Sequence, residues 1–204
     1  MSSDLFAPDP LENLLPFDGC VHNHGLVLDA VAATEAYAQL MQATDWQPDQ
    51  LIMFGRPVTT RREVAWHADA NVPYTYSGRT KMPQPWTPLL LVLKALVETH
   101  SQAKFNACLL NLYHNGQEGM GWHSDDEAAL GPTPVIASLS LGAERVFAFK
   151  HRHRDSQRRL PLAAGQLIVM RDQTQRHWQH SLPKSSLVTQ ARINLTFRHI
   201  RPLP

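Results

Sequence analysis

Cysteine is scarce: the 204-residue chain has two, Cys20 and Cys108, far apart and in no CxxC pair. That argues against a disulfide scaffold and against a thiolate zinc site. Charge of one sign is not in excess either. Nineteen Lys and Arg offset eighteen Asp and Glu, giving a formal net charge of +1. Any case for a polyanionic partner must therefore rest on local patches. Long apolar runs are missing. The most hydrophobic stretch, PLLLVLKALV, contains Lys94 and is too short to span a bilayer. The opening residues, MSSDLFAPDP, lack the basic and apolar regions of a secretory leader. There is no internal repeat and no low-complexity tract. These absences leave a soluble intracellular protein, cytoplasmic or nuclear, as the expectation. Hydrophobic content of 43% and charged content of 18% fit a globular chain, and the length suits one domain.

The residues present divide the chain in two. Met1 to Phe17, rich in Pro and Asp, reads as a loose arm. A helix is predicted from Asp29 to Ala43, with Asp29 as N-cap and Ala33, Tyr37, Leu40 and Met41 on one face. A second is predicted from Pro88 to about His100. Thr87 caps it, Pro88 suits its first turn, and Leu89, Leu93, Leu96 and Val97 form a stripe. After that the pattern changes. FNACLLNLY, VIASLSLG, RVFAFKH, GQLIVM and RINLTFRHI are short β-branched or aromatic runs between turn residues. They predict a β sandwich or barrel between Phe105 and Ile200.

The segment GWHSDDE, Gly121 to Glu127, places a histidine and three carboxylates in seven residues. In extended chain, His123 and Asp125 point the same way and can reach one point. A neutral imidazole and a carboxylate are two-thirds of the facial triad that holds ferrous iron in oxygenases. The third ligand would be a histidine from a later strand. The alternative is a solvated acidic loop with a histidine beside it.

RINLTFR bears on that choice. Arg192, Asn194, Thr196 and Arg198 alternate with Ile193, Leu195 and Phe197, so one strand face is polar and the other apolar. Either the polar face meets water, or it lines a barrel in which guanidinium binds a dicarboxylate through paired hydrogen bonds. Asn111 and Tyr113 are likewise two apart on the strand that leads into GWHSDDE.

Together, NLYHNGQEGMGWHSDDE (111–127), SLSLGAERVFAFKH (138–151), HWQHSLP (177–183) and RINLTFR (192–198) resemble the AlkB family of iron(II)- and 2-oxoglutarate-dependent dioxygenases. The likeness extends upstream through MFGR (53–56), YTYSG (74–78) and PWTP (85–88), and is close to the homologues that repair DNA. The resemblance implies a mostly β fold with flanking helices. A double-stranded β-helix (jelly-roll) core would occupy 105–204. An N-terminal extension, 1–104, would carry the nucleotide-recognition region and support helices within a single dioxygenase domain. It implies His123, Asp125 and His180 as ligands of Fe(II), with His177 the rival for the third. Asn111, Tyr113, Arg192, Asn194, Thr196 and Arg198 would bind 2-oxoglutarate. Arg192 would take its distal carboxylate, and Arg198 would lie nearer the carboxylate that chelates iron. His22/His24 and His151/His153 also have His-x-His spacing and read as exposed loop residues, with metal binding the alternative.

The resemblance also implies a substrate: DNA, duplex or single-stranded, carrying bases of the 1-methyladenine or 3-methylcytosine type. Fe(II), 2-oxoglutarate and O2 would be used, and succinate, CO2 and formaldehyde released. Tyr74, Tyr76, Ser77 and Glu127 match base-pocket positions, with Asp126 holding neighbouring groups. A plain aromatic strand and turn is the other reading of YTYSG. Phe54, between Met53 and Gly55, matches an apolar finger that fills the gap behind a flipped base. A core strand ending at a Gly turn is the alternative there. KHRHRDSQRR (150–159) offers Arg158 and Arg159 as phosphate contacts, or else a solvated hairpin loop. A monomer without membrane attachment is expected. RNA demethylation, protein hydroxylation, or a non-catalytic cupin-like metal-binding module are the competing functions.

Overall fold

The computed structural model describes residues 9–53, 56–70, 72, 74–76 and 79–201. In chain order the strands are β1 (Cys20–Leu26), β2 (Gln47–Met53), β3 (Arg56–Ala68), β4 (Tyr74–Tyr76), β5 (Arg79–Lys81), β6 (Ala107–Tyr113) and β7 (Met120–His123). They continue as β8 (Ile136–Gly142), β9 (Arg145–His151), β10 (Gln157–Leu162), β11 (Gln166–Arg171), β12 (Trp178–Leu182) and β13 (Arg192–Arg198). The helices are α1 (Ala30–Ala43), α2 (Pro88–Ser101) and the single turn α3 (Thr174–His177). No helix among the described residues is long and apolar enough to cross a membrane.

A seven-stranded sheet runs β1-β11-β8-β13-β6-β3-β2, and a four-stranded sheet runs β10-β9-β12-β7. Every strand pairing in both is antiparallel. Strand order departs from chain order, as expected when successive strands alternate between the two layers of a jelly-roll. The fold is mostly β with flanking helices, as expected.

The helices form where their caps predicted, but the buried face of α2 is Leu90, Leu93, Val97 and Ser101, so Leu89 and Leu96 of the predicted stripe are only partly buried. Asp29 accepts from the Ala32 N–H at 2.8 Å, and Thr87 accepts from the Leu90 N–H at 3.2 Å. Both helices pack on the outer face of the large sheet. Ala33, Ala36 and Leu40 from α1 and Leu90, Leu93 and Val97 from α2 share a core with Leu110, Leu139, Ile193, Leu195 and Phe197. Truncating one of these leucines to Ala would cost about 2–5 kcal/mol. A second core lies between the sheets around Phe149, Ile168 and Trp178. Gly142 ends β8 at φ +78°, and a Cβ there would sit 2.5 Å from the Ala191 carbonyl oxygen, so a larger residue would strain the turn.

Two expectations need correction. The segment before β1 is not wholly loose. Leu15 is buried in the second core, and Phe17 packs on His151 and Trp178. Its Pro and Asp content, with no helical or strand periodicity, hid these two apolar anchors. His22 and His24 are not loop residues but part of β1, and His151 is buried at the end of β9. Hydrogen bonds from the His153 and Arg154 N–H groups to its Nδ1 offset that burial.

Candidate metal and cosubstrate site

Alternation along β13 builds one wall of a cavity. Ile193, Leu195 and Phe197 are fully buried against the helices, which turns Arg192, Asn194, Thr196 and Arg198 to the opposite face. That face is not in water. Arg192, Thr196 and Arg198 are buried, and all four side chains line the cavity between the sheets. β6 pairs beside β13 with Asn111 opposite Asn194 and Tyr113 opposite Arg192, so Asn111 and Tyr113 line the same cavity.

His123 ends β7, and His180 lies opposite it on β12. Their ring centroids are 4.2 Å apart. Asp125 follows two residues later, and one ligand atom from each of His123, Asp125 and His180 falls within 4.8 Å of the others. Neighbouring groups orient all three. The Nδ1–H of His123 can donate to the Gly121 carbonyl at 2.8 Å, which turns Nε2 toward Asp125 Oδ1, 3.9 Å away. Arg198 donates to Asp125 Oδ2 at 2.7 and 3.2 Å, and the Asp125 N–H donates to Gln175 Oε1 at 2.9 Å. The Phe147 ring stacks on His180 at 5.5 Å.

Electrostatics keep the donors in ligating form. Burial alone would raise the Asp125 carboxyl. The charges of Arg198, His180 and His123 overcome this and hold it well below the usual carboxylate range. Burial, reinforced by His123, pushes His180 down to about 3, so its imidazole is neutral with a free lone pair. Two imidazoles and one carboxylate on one side of a cavity suit an octahedral ferrous ion with positions left open. Arg192 donates to Ser140 Oγ at 2.7 Å and to the Leu162 carbonyl at 3.1 Å. Its Nε is buried without a hydrogen-bond partner among the described residues, a donor that a carboxylate would satisfy. Burial lowers this guanidinium to about 10, still cationic near neutral pH.

Similarity to known proteins shows the family. The family described as "2OG-Fe(II) oxygenase superfamily" matches residues 19–198. The chain belongs to that superfamily. Within it, mouse "DNA oxidative demethylase ALKBH2" is 35% identical over 212 residues, covering 98% of this chain and 88% of that protein. Bovine and human "Alpha-ketoglutarate-dependent dioxygenase alkB homolog 3" are 37% identical over 187 residues. The chain spans 65% of the length of these two homologues. It is thus an oxygenase chain of the AlkB-homologue group. Among solved structures, the fold matches "The structure of OsALKBH1" and a 2OG-Fe(II) oxygenase-family oxidoreductase from Burkholderia pseudomallei. Each has a TM-score of 0.58 at 14% identity over 91% of this chain, covering 98% and 86% of the two known chains. For such a family the implied metal and cosubstrates are Fe(II), 2-oxoglutarate and O2.

The remaining residues singled out in the sequence fall as follows. His177, the rival ligand, lies outside the cavity and groups with Asp18 and His151. Asp126 pairs with Arg152 at 3.1 Å. Glu127 is half-buried beyond Asp125 and is not among the residues lining the cavity. Burial raises its carboxyl against the pull of Arg198. Tyr74 and Tyr76 lie on β4. Ser77, Phe54 and Gly55 lie outside the described residues, and Met53 ends β2. Arg158 and Arg159 are exposed, but on β10 rather than in a loop.

Sequence reasoning missed several members of the cavity. Asp49 and Arg62 form a buried ion pair that lines it. Gln175 and Phe147 support the triad. The alternation in SLSLG, which places Ser138 and Ser140 beside Asn194 and Arg192, was a usable signal. Nothing in the local sequence marks Gln175.

Proposed function

We propose that the chain is a DNA oxidative demethylase that removes methyl groups from bases of the 1-methyladenine and 3-methylcytosine type. One observation carries the reading: His123, Asp125 and His180 open into the same cavity as Arg192, Asn111 and Tyr113. His123, Asp125 and His180 would hold Fe(II), which with 2-oxoglutarate and O2 would supply the oxidising chemistry that yields succinate, CO2 and, from the substrate, formaldehyde. The protein's share is positioning. Arg192 fixes the far carboxylate of the cosubstrate, with Tyr113, Asn111, Asn194 and Thr196 around it. Arg198 holds Asp125 by one oxygen and leaves the other for metal. Tyr74, Tyr76, Ser77 and Glu127 face the base, because a cationic methylated ring favours aromatic faces and a carboxylate.

The names of the relatives favour DNA over the other targets; RNA is the second reading, since the same chemistry serves both. The protein acts as a monomer of one domain, with 105–204 as catalytic core and 1–104 as recognition region. Met53, Phe54 and Gly55 form the finger, and Arg158 and Arg159 contact phosphate. The deciding experiment is turnover of 2-oxoglutarate by iron-loaded protein with methylated DNA, RNA and peptide. Formaldehyde release from methylated DNA, lost in His123→Ala, is expected. Bound iron with no repair of any methylated nucleic acid would refute the proposal. Phe54→Ala should lower activity on duplex more than on single strands, and equal loss on both would discard the finger.

A further inference from the structure

Behind the triad, on the outer side of the small sheet, lies a second groove. Gly121, Trp122, Arg159, Ser181 and Lys184 line it, and among the described residues no carboxylate does. It shares Met120 and Leu182 with the main cavity, so the wall between them is the β7–β12 pair that carries His123 and His180.

The local backbone explains how this groove arises. His180 pairs with His123 and Leu182 with Met120, so Gly121 and Trp122 together oppose Ser181 in an irregular register. A bulge of this kind re-aims a side chain. Trp122 turns to the side opposite His123 and stays 39% exposed, a large indole left in solvent. Lys150, from the adjoining part of the sheet, places Nζ 4.9 Å from its ring centroid. A Cβ built at Gly121 meets nothing within 4 Å, so the floor beside the ring is open. Ser181 is 4% exposed, and its Oγ has no hydrogen-bond partner among the described residues. A buried hydroxyl left without a partner is a group that a ligand's polar edge would satisfy.

We infer that this groove holds one unpaired nucleotide of a nucleic-acid strand, its base on Trp122 and its phosphate among Lys150, Arg159 and Lys184. The cations, unopposed by carboxylates, select an anion. The indole and the unpartnered Ser181 hydroxyl select a flat ring with polar edges. The shared Met120–Leu182 wall sets the groove directly behind the strands that carry His123 and His180. The inference rests on the nucleic-acid reading above and adds a stacking platform to it.

The test uses the iron-loaded full chain under nitrogen and an unmethylated single-stranded oligothymidylate. The oligonucleotide carries a fluorophore and 5-iododeoxyuridine. Anisotropy should show about tenfold weaker binding for Trp122→Ala, with Trp122→Phe within about twofold of the parent. Arg159→Ala should reduce the slope of log affinity against log salt by about one. Ultraviolet irradiation of the unsubstituted chain should crosslink the peptide containing Trp122. This result needs no variant to fold. Binding that is unchanged in Trp122→Ala, with crosslinks only elsewhere, overturns the groove and leaves the demethylase reading intact. No binding of the oligonucleotide at all, or preferential binding of an acidic peptide, overturns both this inference and the nucleic-acid reading.

Discussion

Two clusters of the same composition flank the small sheet, and their hydrogen bonding differs. His123, Asp125 and His180 form the first; Asp18, His151 and His177 form the second. Each brings one ligand atom per residue within 4.8 Å of the others, so distance alone does not separate them. Hydrogen bonding does. In the first, His123 spends Nδ1 on the Gly121 carbonyl and keeps Nε2 for a ligand bond. In the second, His151 Nδ1 accepts two backbone N–H groups, at 3.0 and 3.2 Å. Its proton must then sit on Nε2, which faces Asp18 Oδ2 at 3.4 Å. A protonated nitrogen has no lone pair for metal. The rings of Phe17 and Trp178 pack on this His151, and Arg154 stacks over Phe17. The second cluster is a latch that ties the segment before β1 to the end of β9. The types of residue match; the orientation of one proton assigns opposite roles.

The sharpest way to break this contrast is to remove one member of each cluster and count iron. His123→Ala or Asp125→Ala should cost more than the ~10–100-fold loss of metal affinity typical of outer-shell partners. His177→Ala should leave iron content at the parent level by elemental analysis. Iron lost from His177→Ala, or retained by His123→Ala, would exchange the two assignments. Next in size is Arg192→Met, which keeps the buried volume and removes the cation. Charge-assisted hydrogen bonds contribute about 1.5–3 kcal/mol, so the KM for 2-oxoglutarate should rise by about 10–100-fold with iron content unchanged. Smaller again is His151→Leu. It should lower the denaturant midpoint by the equivalent of about 1–3 kcal/mol, since two backbone donors lose their acceptor. Turnover per folded molecule should hold.

Much of this contrast could be read before any coordinates, but unevenly. The His123–Asp125 pairing and the β13 face were legible because period-two alternation survives folding: Arg192 and Arg198 share a face in the sequence and in the cavity. The helix boundaries were legible because Asp29, Thr87 and Pro88 act locally. The likeness to a known family supplied His180 in place of His177, a choice that spacing left open. The latch was not legible. It joins Asp18 to residues more than a hundred positions away, and nothing local marks His151 as a residue that will be buried. The Asp49–Arg62 pair was hidden for a different reason: its strands, β2 and β3, join the sheet of β13 only through β6, a pairing that nothing local marks.

The latch makes a last, smaller prediction, in protons. Burial pushes His151 below its usual value, and Arg154 and His177 add to this, against the pull of Asp18. Burial likewise lowers His67, opposed by its hydrogen bond to the Pro85 carbonyl. A histidine depressed in the folded state is neutral there while its unfolded counterpart is already charged. Below about pH 6.5 the unfolded chain therefore binds more protons, and stability falls as pH falls. Each such group contributes up to ~1.4 kcal/mol per pH unit between its unfolded and folded values. Melting temperature of the iron-free chain should drop between about pH 7.5 and about pH 5.5, where surface carboxylates titrate little. In His151→Leu the drop should be shallower, because one proton leaves the balance, even though that variant starts less stable. An equal or steeper slope would mean that His151 is charged in the folded protein. Asp18 would then be its ion-pair partner, and the proton assignment that separates the two clusters would fail.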